Sequence, residues 1–358
     1  MNTMKRDRKL AQIDQLVAVI AMTTALAGCG GGDSGPASTP APGPAPAPAP
    51  APTTGELSSI VEPTTYAAGG SRLNAYAALN AARLQGGFGA VTQSAPLDAE
   101  AQDQADFVAA NYTVSSGIGG VTFNVTSLAA LQPDGNETGH VQLTTLPDET
   151  HYIGYLPSDR ATYFDYPSTD LAESAAYGNW SAEAGATCVS ELLQSPEHRQ
   201  LLLDPRFRDF GVGIVSLPWN SDGSISASAC YVATAARSYD YSANGQATAP
   251  TDWVGIYPPD GSTVSATDDG HGHGFAPSVT VNSKLALTVT VFTITDNNGQ
   301  VVPTTLNADA LTTAIWANWA VATPNAVLQP STSYTVNFQG SASGIAIAKV
   351  WTFTTPAN

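Results

Sequence analysis

The stretch SPEHRQLLLDPRFRDFGVG, Ser195 to Gly213, decides how the rest of the chain is read. Ser195 is a good helix N-cap, and Pro196 suits the first helical position, where its missing N–H costs nothing. Glu197 sits near the positive end of the helix dipole. A short helix follows, with His198 in its first turn and Leu201 and Leu202 facing a core. Asp204-Pro205 stops it, because a residue before proline is pushed out of the α region. Phe207, Phe210, Val212 and Ile214 then enter a strand, with Gly211 and Gly213 between them. A histidine in a first helical turn has an ordinary structural role open to it. Any chemistry there needs partners from elsewhere in the chain.

The composition narrows what those partners can be. The 358 residues carry 13 basic and 30 acidic side chains, a net charge of −17. Such a surface repels nucleic acid phosphates, and no basic stripe offsets it, so no nucleic acid partner is expected. The length accommodates about two domains. Charged residues are sparse, and Ala, Gly, Ser and Thr are abundant, as in exported proteins.

The N-terminal residues point the same way. Met4 to Lys9 is basic, and Leu16 to Leu26 is apolar but too short to span a bilayer, which takes about 20 residues. The run ends in Leu26-Ala27-Gly28-Cys29, followed by three glycines. This resembles a bacterial lipoprotein signal over residues 1–29, in which Cys29 takes lipid and anchors the chain to a membrane. The expected location is extracytoplasmic, at an outer membrane or cell surface. Gly30, in place of an aspartate, favours the outer membrane. Residues 30–55 hold an Ala-Pro repeat, which runs as an extended polyproline stalk. With Cys29 lipidated, Cys188 and Cys230 remain, and in an oxidising compartment they are expected to form a disulfide rather than stay as two buried thiols.

Folded sequence begins near Glu56. Ser71 is expected to cap a helix that Gly86-Gly87 ends, and Leu97-Asp98 to open a second with Ala101, Ala105 and Val108 at helical spacing. Residues 112–170 read as loop-rich. Ser181 is expected to cap a third helix bearing Cys188 and Leu192. Phe210–Leu217 and Ser228–Ala236 read as strands about an Asn220–Gly223 turn. A polar linker, 238–250, precedes short alternating runs such as Ser278–Val281, Leu285–Ile294 and Tyr334–Phe338. Short strands with regular turns argue a β-sandwich over 250–358.

Across residues 56–240 the pieces fall into a known order. Leu73-Asn74, the helix LDAEAQDQADFVAAN, Gly139-His140, the stretch from Tyr155 to Ala161 (YLPSDRA), Glu173 before Tyr177-Gly178, then SPEHR and DPRFRDFGVG: together these resemble a bacterial member of the CAP superfamily, the cysteine-rich secretory, antigen-five and pathogenesis-related proteins. The resemblance implies an α+β fold, an α-β-α sandwich around an antiparallel sheet. It also implies an open cleft where His140, Glu173 and His198 converge. The flanking Gly and Asn of the family's Gly-Glu-Asn motif are absent around Glu173. The family's second acid has no clear counterpart; Glu191, seven residues before His198, is the candidate. His151 rivals His140 as the first histidine. The C-terminal part resembles a bacterial immunoglobulin-like module through Tyr257–Gly261, Leu328–Val336 and Trp351–Thr355, a module that usually acts as a spacer or adhesive domain.

Two imidazoles and a carboxylate in one cleft can bind a ligand, hold a divalent ion such as zinc through His140 and His198, or relay a proton. The first expectation is therefore a ligand-binding lipoprotein whose ligand is a lipid, a glycan or a surface protein. A hydrolase using His140, Glu173 and His198 with an activated water is the second. A structural adhesin or spacer is the third. There is no G-x-S-x-G and no H-E-x-x-H, so neither a serine-hydrolase elbow nor a zinc-protease helix is signalled. Gly270-His271-Gly272-His273-Gly274 reads as a flexible turn before a metal loop.

Overall fold

The computed structural model describes residues 57–117, 120–125, 140, 142, 152–168, 170–178, 185–217, 227–236, 252–267, 273–282, 284–306 and 317–357. The lipidation site at Cys29, the stalk, the Ser181 cap, His151, the Asn220–Gly223 turn, the 238–250 linker and His271 lie outside them.

The first half is mixed α+β. Its elements run α1 (Ser71–Gly86), β1 (Thr92–Gln93), α2 (Ala95–Asn111), β2 (Tyr112–Gly117), β3 (Gly120–Val125), α3 (Pro157–Tyr163), β4 (Leu171–Gly178), α4 (Gly185–Gln194), α5 (Pro196–Leu202), β5 (Asp209–Leu217) and β6 (Ala227–Ala235). The sheet order is β1-β5-β6-β4, with β6 antiparallel to both neighbours and β1 parallel to β5. Strands β2 and β3 form a separate hairpin.

The alternation of β5 explains the layering. Phe210 and Val212 join Cys230 and Val232 of β6 on one face, against Ala75, Tyr76 and Leu79 of α1, Val189 and Leu192 of α4, and Leu202 of α5. On the other face, Leu97, Ala101, Ala105 and Val108 of α2 and Ala161 of α3 pack on Ala229, Tyr231 and Ala233 of β6. The glycines of β5 meet α2 almost backbone to backbone. A Cβ on Gly211 would stand 2.1 Å from the Leu97 carbonyl carbon, and one on Gly213 would stand 2.2 Å from the Ala101 oxygen. Helix α2 also satisfies β5 directly. The Val212 N–H donates to Asp98 Oδ1 at 2.9 Å and the Ile214 N–H to Gln102 Oε1 at 3.2 Å. The Cys188–Cys230 disulfide forms and ties α4 to β6.

Arg83 binds the helices of the first face together. It is fully buried, and its guanidinium donates to five carbonyl oxygens, those of Phe88, Gly89, Leu202, Asp204 and Phe207. Those acceptors close the end of α1 onto the end of α5 and the entry to β5.

Several boundaries differ from the sequence reading. Gly70, not Ser71, holds the N-cap place of α1, in extended conformation, so Ser71 is the first helical residue. Helix α2 opens at Ala95, where the Ser94 carbonyl accepts the Asp98 N–H at 2.9 Å, two residues before the expected start. Ser195 does hold the N-cap place of α5, but its side chain makes no capping bond; its carbonyl accepts the Arg199 N–H instead. Residues 112–170 contain the β2–β3 hairpin and α3, whose start is fixed by Asp159 Oδ2 accepting the Leu156 N–H at 3.0 Å. Strand β4 was not foreseen, because LAESAAYG mixes small and polar residues without period-two contrast.

The second half is built of strands: β7 (Val254–Tyr257), β8 (Ser262–Thr263), β9 (Ser278–Val281), β10 (Leu287–Asp296), β11 (Val301–Val302), β12 (Thr304–Leu306), β13 (Trp319–Pro324), β14 (Ser333–Ala342) and β15 (Ile345–Thr354). They form two sheets, β11-β10-β14-β15-β8 and β12-β13-β9-β7. Phe292, Ile294, Val336, Phe338, Trp351 and Phe353 from the first share a core with Val279, Ala320 and Ala322 from the second. The same core continues into the α1, α4 and α5 face of the first half.

Candidate functional site

Strand β4 is an edge of its sheet, and it carries the site. Glu173 stands opposite Ala233 of β6, and Tyr177 opposite Ala229, with side chains on the α2–α3 face. Helix α2 brings Glu100 to Glu173 and helix α3 brings Arg160. The three side chains are buried to 1% exposure or less. Arg160 Nη2 donates to Glu173 Oε2 at 2.6 Å and lies 2.9 Å from Glu100 Oε1, which also accepts from Nε at 3.2 Å. Arg160 Nη1 donates to the His140 carbonyl at 3.2 Å. The other oxygen of Glu173 meets His140 Nδ1 at 2.8 Å. His140, not buried like the acids, is about a third exposed.

Two carboxyl groups share one guanidinium here, and their environments separate them. Burial and the neighbouring Glu173 charge push Glu100 well above the usual carboxyl range. For Glu173 burial acts upward too, but Arg160 and His140 together outweigh it and hold the group low. Glu100 therefore keeps its proton while Glu173 is ionised. A protonated Glu100 has an O–H to offer Glu173.

Tyr231 joins this cluster to the open face. Its ring lies edge-on to His140, with centroids 6.3 Å apart, and its hydroxyl is hydrogen-bonded to that of Tyr177. Burial raises the Tyr231 hydroxyl well above the usual phenol range. It stays protonated at neutral pH.

Tyr177 in turn lines a cavity of about 360 Å³ with Ala175 and Ala176 of β4, Glu191, Leu192 and Gln194 of α4, Ser195, and His198 of α5. His198 is there because Pro196 starts α5 directly after α4 ends, which aims the first turn of α5 at the β4 edge. Glu191, in the last turn of α4, lines the same corner.

The expected residues thus fall into two adjoining groups. The structure brings His140 to Glu173, and His198 to Glu191 in the cavity, with Tyr177 common to the cavity and to the hydroxyl chain from Tyr231. It does not place His140 or Glu173 among the cavity's lining residues. A divalent ion fits this arrangement poorly. Both oxygens of Glu173 are committed, to His140 and Arg160. Among the described residues no group of three or more His, Cys, Asp or Glu is arranged to hold a metal.

Glu100, Tyr177 and Tyr231 escaped the sequence reading, as did the role of Arg160. A signal for Glu100 existed: Glu100 and Gln104, both fully buried, adjoin the apolar stripe of Ala101 and Ala105 on α2. Comparison with protein-family models returned no match, and comparison with curated proteins returned none. Among the described residues, no helix is long and apolar enough to cross a membrane.

Proposed function

We propose that the chain is a lipid-anchored, extracytoplasmic binding protein of CAP type, and that the cavity beside β4 takes a glycan. The observation that carries the reading is the lining of that cavity. Tyr177, Glu191, Gln194, Ser195 and His198 supply hydroxyl, carboxyl, amide and imidazole groups, and Ala175, Ala176 and Leu192 give a smaller apolar floor. A saturated acyl chain offers none of these groups a hydrogen bond in exchange for the water it displaces. A sugar has hydroxyls to pair with them and a ring face to lay on tyrosine, and the volume lies in the range of small-ligand sites. The CAP assignment is supported by the motif order and by helices on both faces of the β1-β5-β6-β4 sheet. The C-terminal half is read as an immunoglobulin-like module on its two sheets and on the strand sequences that prompted the comparison.

The hydrolase reading is weaker on one count. A general base needs a carboxylate oxygen or ring nitrogen within reach of substrate water, and Glu173 has both oxygens engaged away from the cavity.

The test is an NMR titration of the protein with a chitin-type trisaccharide, and in parallel with phosphatidylglycerol vesicles. The expected result is a saturable shift of the His198 imidazole and Tyr177 ring signals with the trisaccharide, lost in His198→Ala. Shifts produced by vesicles alone, or by neither, overturn the glycan assignment.

A further inference from the structure

The second half of the chain reads from sequence as a spacer, but its contact with the first half is not that of a spacer. Arg199, the residue after His198 on α5, is fully buried. Its guanidinium carbon lies 5.3 Å from the ring centre of Tyr257 and 5.2 Å from that of Phe275, two aromatic residues of the β-sandwich. Nη2 donates to the Ala276 carbonyl of the sandwich, while Nη1 donates to Leu193 at the end of α4, at 3.2 Å. One guanidinium therefore joins α4, α5 and the sandwich at the corner that presents His198. The two rings are themselves in contact, with centroids 6.0 Å apart, so the guanidinium rests on an aromatic pair in a dry site, a strong and directional contact.

A second contact fixes the same pair of bodies from another side. Trp253 Nε1 donates to the Gly87 carbonyl at 2.7 Å, and its ring packs edge-on to Phe88 at 5.6 Å. Gly255 on β7 lies so close to Phe88 that a Cβ there would stand 2.5 Å from its ring. Arg83 then ties this end of α1 to the end of α5 through the Leu202 carbonyl at 2.7 Å. The sandwich grips α5 directly through Arg199 and indirectly through α1.

We propose that the C-terminal sandwich is a working part of the cavity: by seating Arg199 on the Tyr257–Phe275 pair it sets the rotation of α5, and with it the position of His198. Arg199 is a positioning residue in this scheme and Tyr257 and Phe275 are its seat. The consequence for binding rests on the cavity being the ligand site, but the coupling itself does not.

The test therefore reads His198 without a ligand. The whole chain, labelled with ¹⁵N-histidine, is compared with Tyr257→Leu, Phe275→Leu and Arg199→Lys, with the His198 signal assigned by its loss in His198→Gln. Lysine keeps the charge of Arg199 but not the planar face, so it is the mild variant should either leucine variant fail to fold. The expected result is a moved His198 imidazole signal and a moved titration midpoint in every folded variant, while the His140 signal, on the far face of the sheet, stays in place. A contact that merely glues the halves would lower the unfolding midpoint and leave the native His198 signal and its titration unchanged; that result overturns the proposal. A His198 that responds to these substitutions in a protein that binds no trisaccharide keeps the coupling and removes the glycan reading.

Discussion

Replacing Arg160 by leucine removes the counter-charge from the most deeply buried acidic cluster among the described residues. Arg160 and its two carboxyl partners are buried to 1% exposure or less, and Glu100 is already held neutral by its surroundings. The substitution therefore leaves the Glu173 charge in the interior without its guanidinium, with the His140 ring and the Glu100 carboxyl still beside it. Breaking a buried pair in this way costs about 3–5 kcal/mol. Against a total stability of about 5–15 kcal/mol this is a large fraction. With a denaturant slope of about 3 kcal/mol/M in urea, the midpoint should fall by about 1–2 M. The loss should also depend on pH, and its sign follows from Glu173. In the native protein Arg160 and His140 hold the Glu173 carboxyl below the ordinary glutamate value of 4.5. Without Arg160, burial is opposed only by His140 and the Glu100 contact, so the folded-state pKa of Glu173 rises. The variant can then shed the charge by taking up a proton as the pH falls, while the wild type loses its ion pair below 4.5. The deficit should thus be greatest near pH 7 and shrink toward pH 4. Urea unfolding followed by tryptophan fluorescence, with the disulfide intact, measures it at both values. A deficit under about 1 kcal/mol near neutrality, or one equal at the two pH values, would refute the assignment of Glu173 as a paired, buried anion.

Glu100→Gln should act in the opposite sense. The folded protein keeps Glu100 protonated above the ordinary glutamate value of 4.5, where the unfolded chain ionises it, so wild-type stability falls as pH rises from there; the variant does not titrate, and its advantage in urea midpoint should grow as pH rises from 5. Replacing Cys188 and Cys230 by alanine opens a loop with a sequence separation of 42, and chain entropy puts the loss at about 4 kcal/mol, readable by calorimetry. Gly213→Ala drives a methyl into the backbone of α2 and should cost about 1–3 kcal/mol; thermal unfolding is the decisive measurement, and an unchanged midpoint would show that α2 stands off the sheet.

What was legible in the sequence followed from punctuation and period. Pro196 and Asp204-Pro205 bound α5, and the alternation of Phe210, Val212 and Ile214 with glycines marked β5 and its two unlike faces. Cys188 and Cys230 were left as a pair by arithmetic and are bonded. The strand run Ser278–Val281 matches β9 residue for residue. Strand β4 was hidden because an edge strand of alanine, serine and glutamate has no apolar alternation. The partners of Glu173 were hidden for a different reason. Glu100 and Arg160 are 60 residues apart and Arg160 and Glu173 are 13 apart, and only the packing of α2 and α3 on one sheet face makes them neighbours. Local patterning cannot show a buried charge, because its meaning lies in a counter-charge from another element.

Arg83 has a consequence for the order in which the chain folds. Three of its five acceptors, Leu202, Asp204 and Phe207, lie 119, 121 and 124 residues further along. Strand β1 likewise waits for β5, its parallel partner at Asp209 and Phe210. In a chain made from its N-terminus, α1 can form early, but the end of α5 on which Arg83 closes emerges only 119 residues later. Contacts of such sequence separation carry a loop-closure cost before any return, which slows folding. Helices α1 and α2, the latter bonded to β5 across 114 and 112 residues, should accordingly gain protection from hydrogen exchange during refolding after α4, α5, β5 and β6, which are close in sequence.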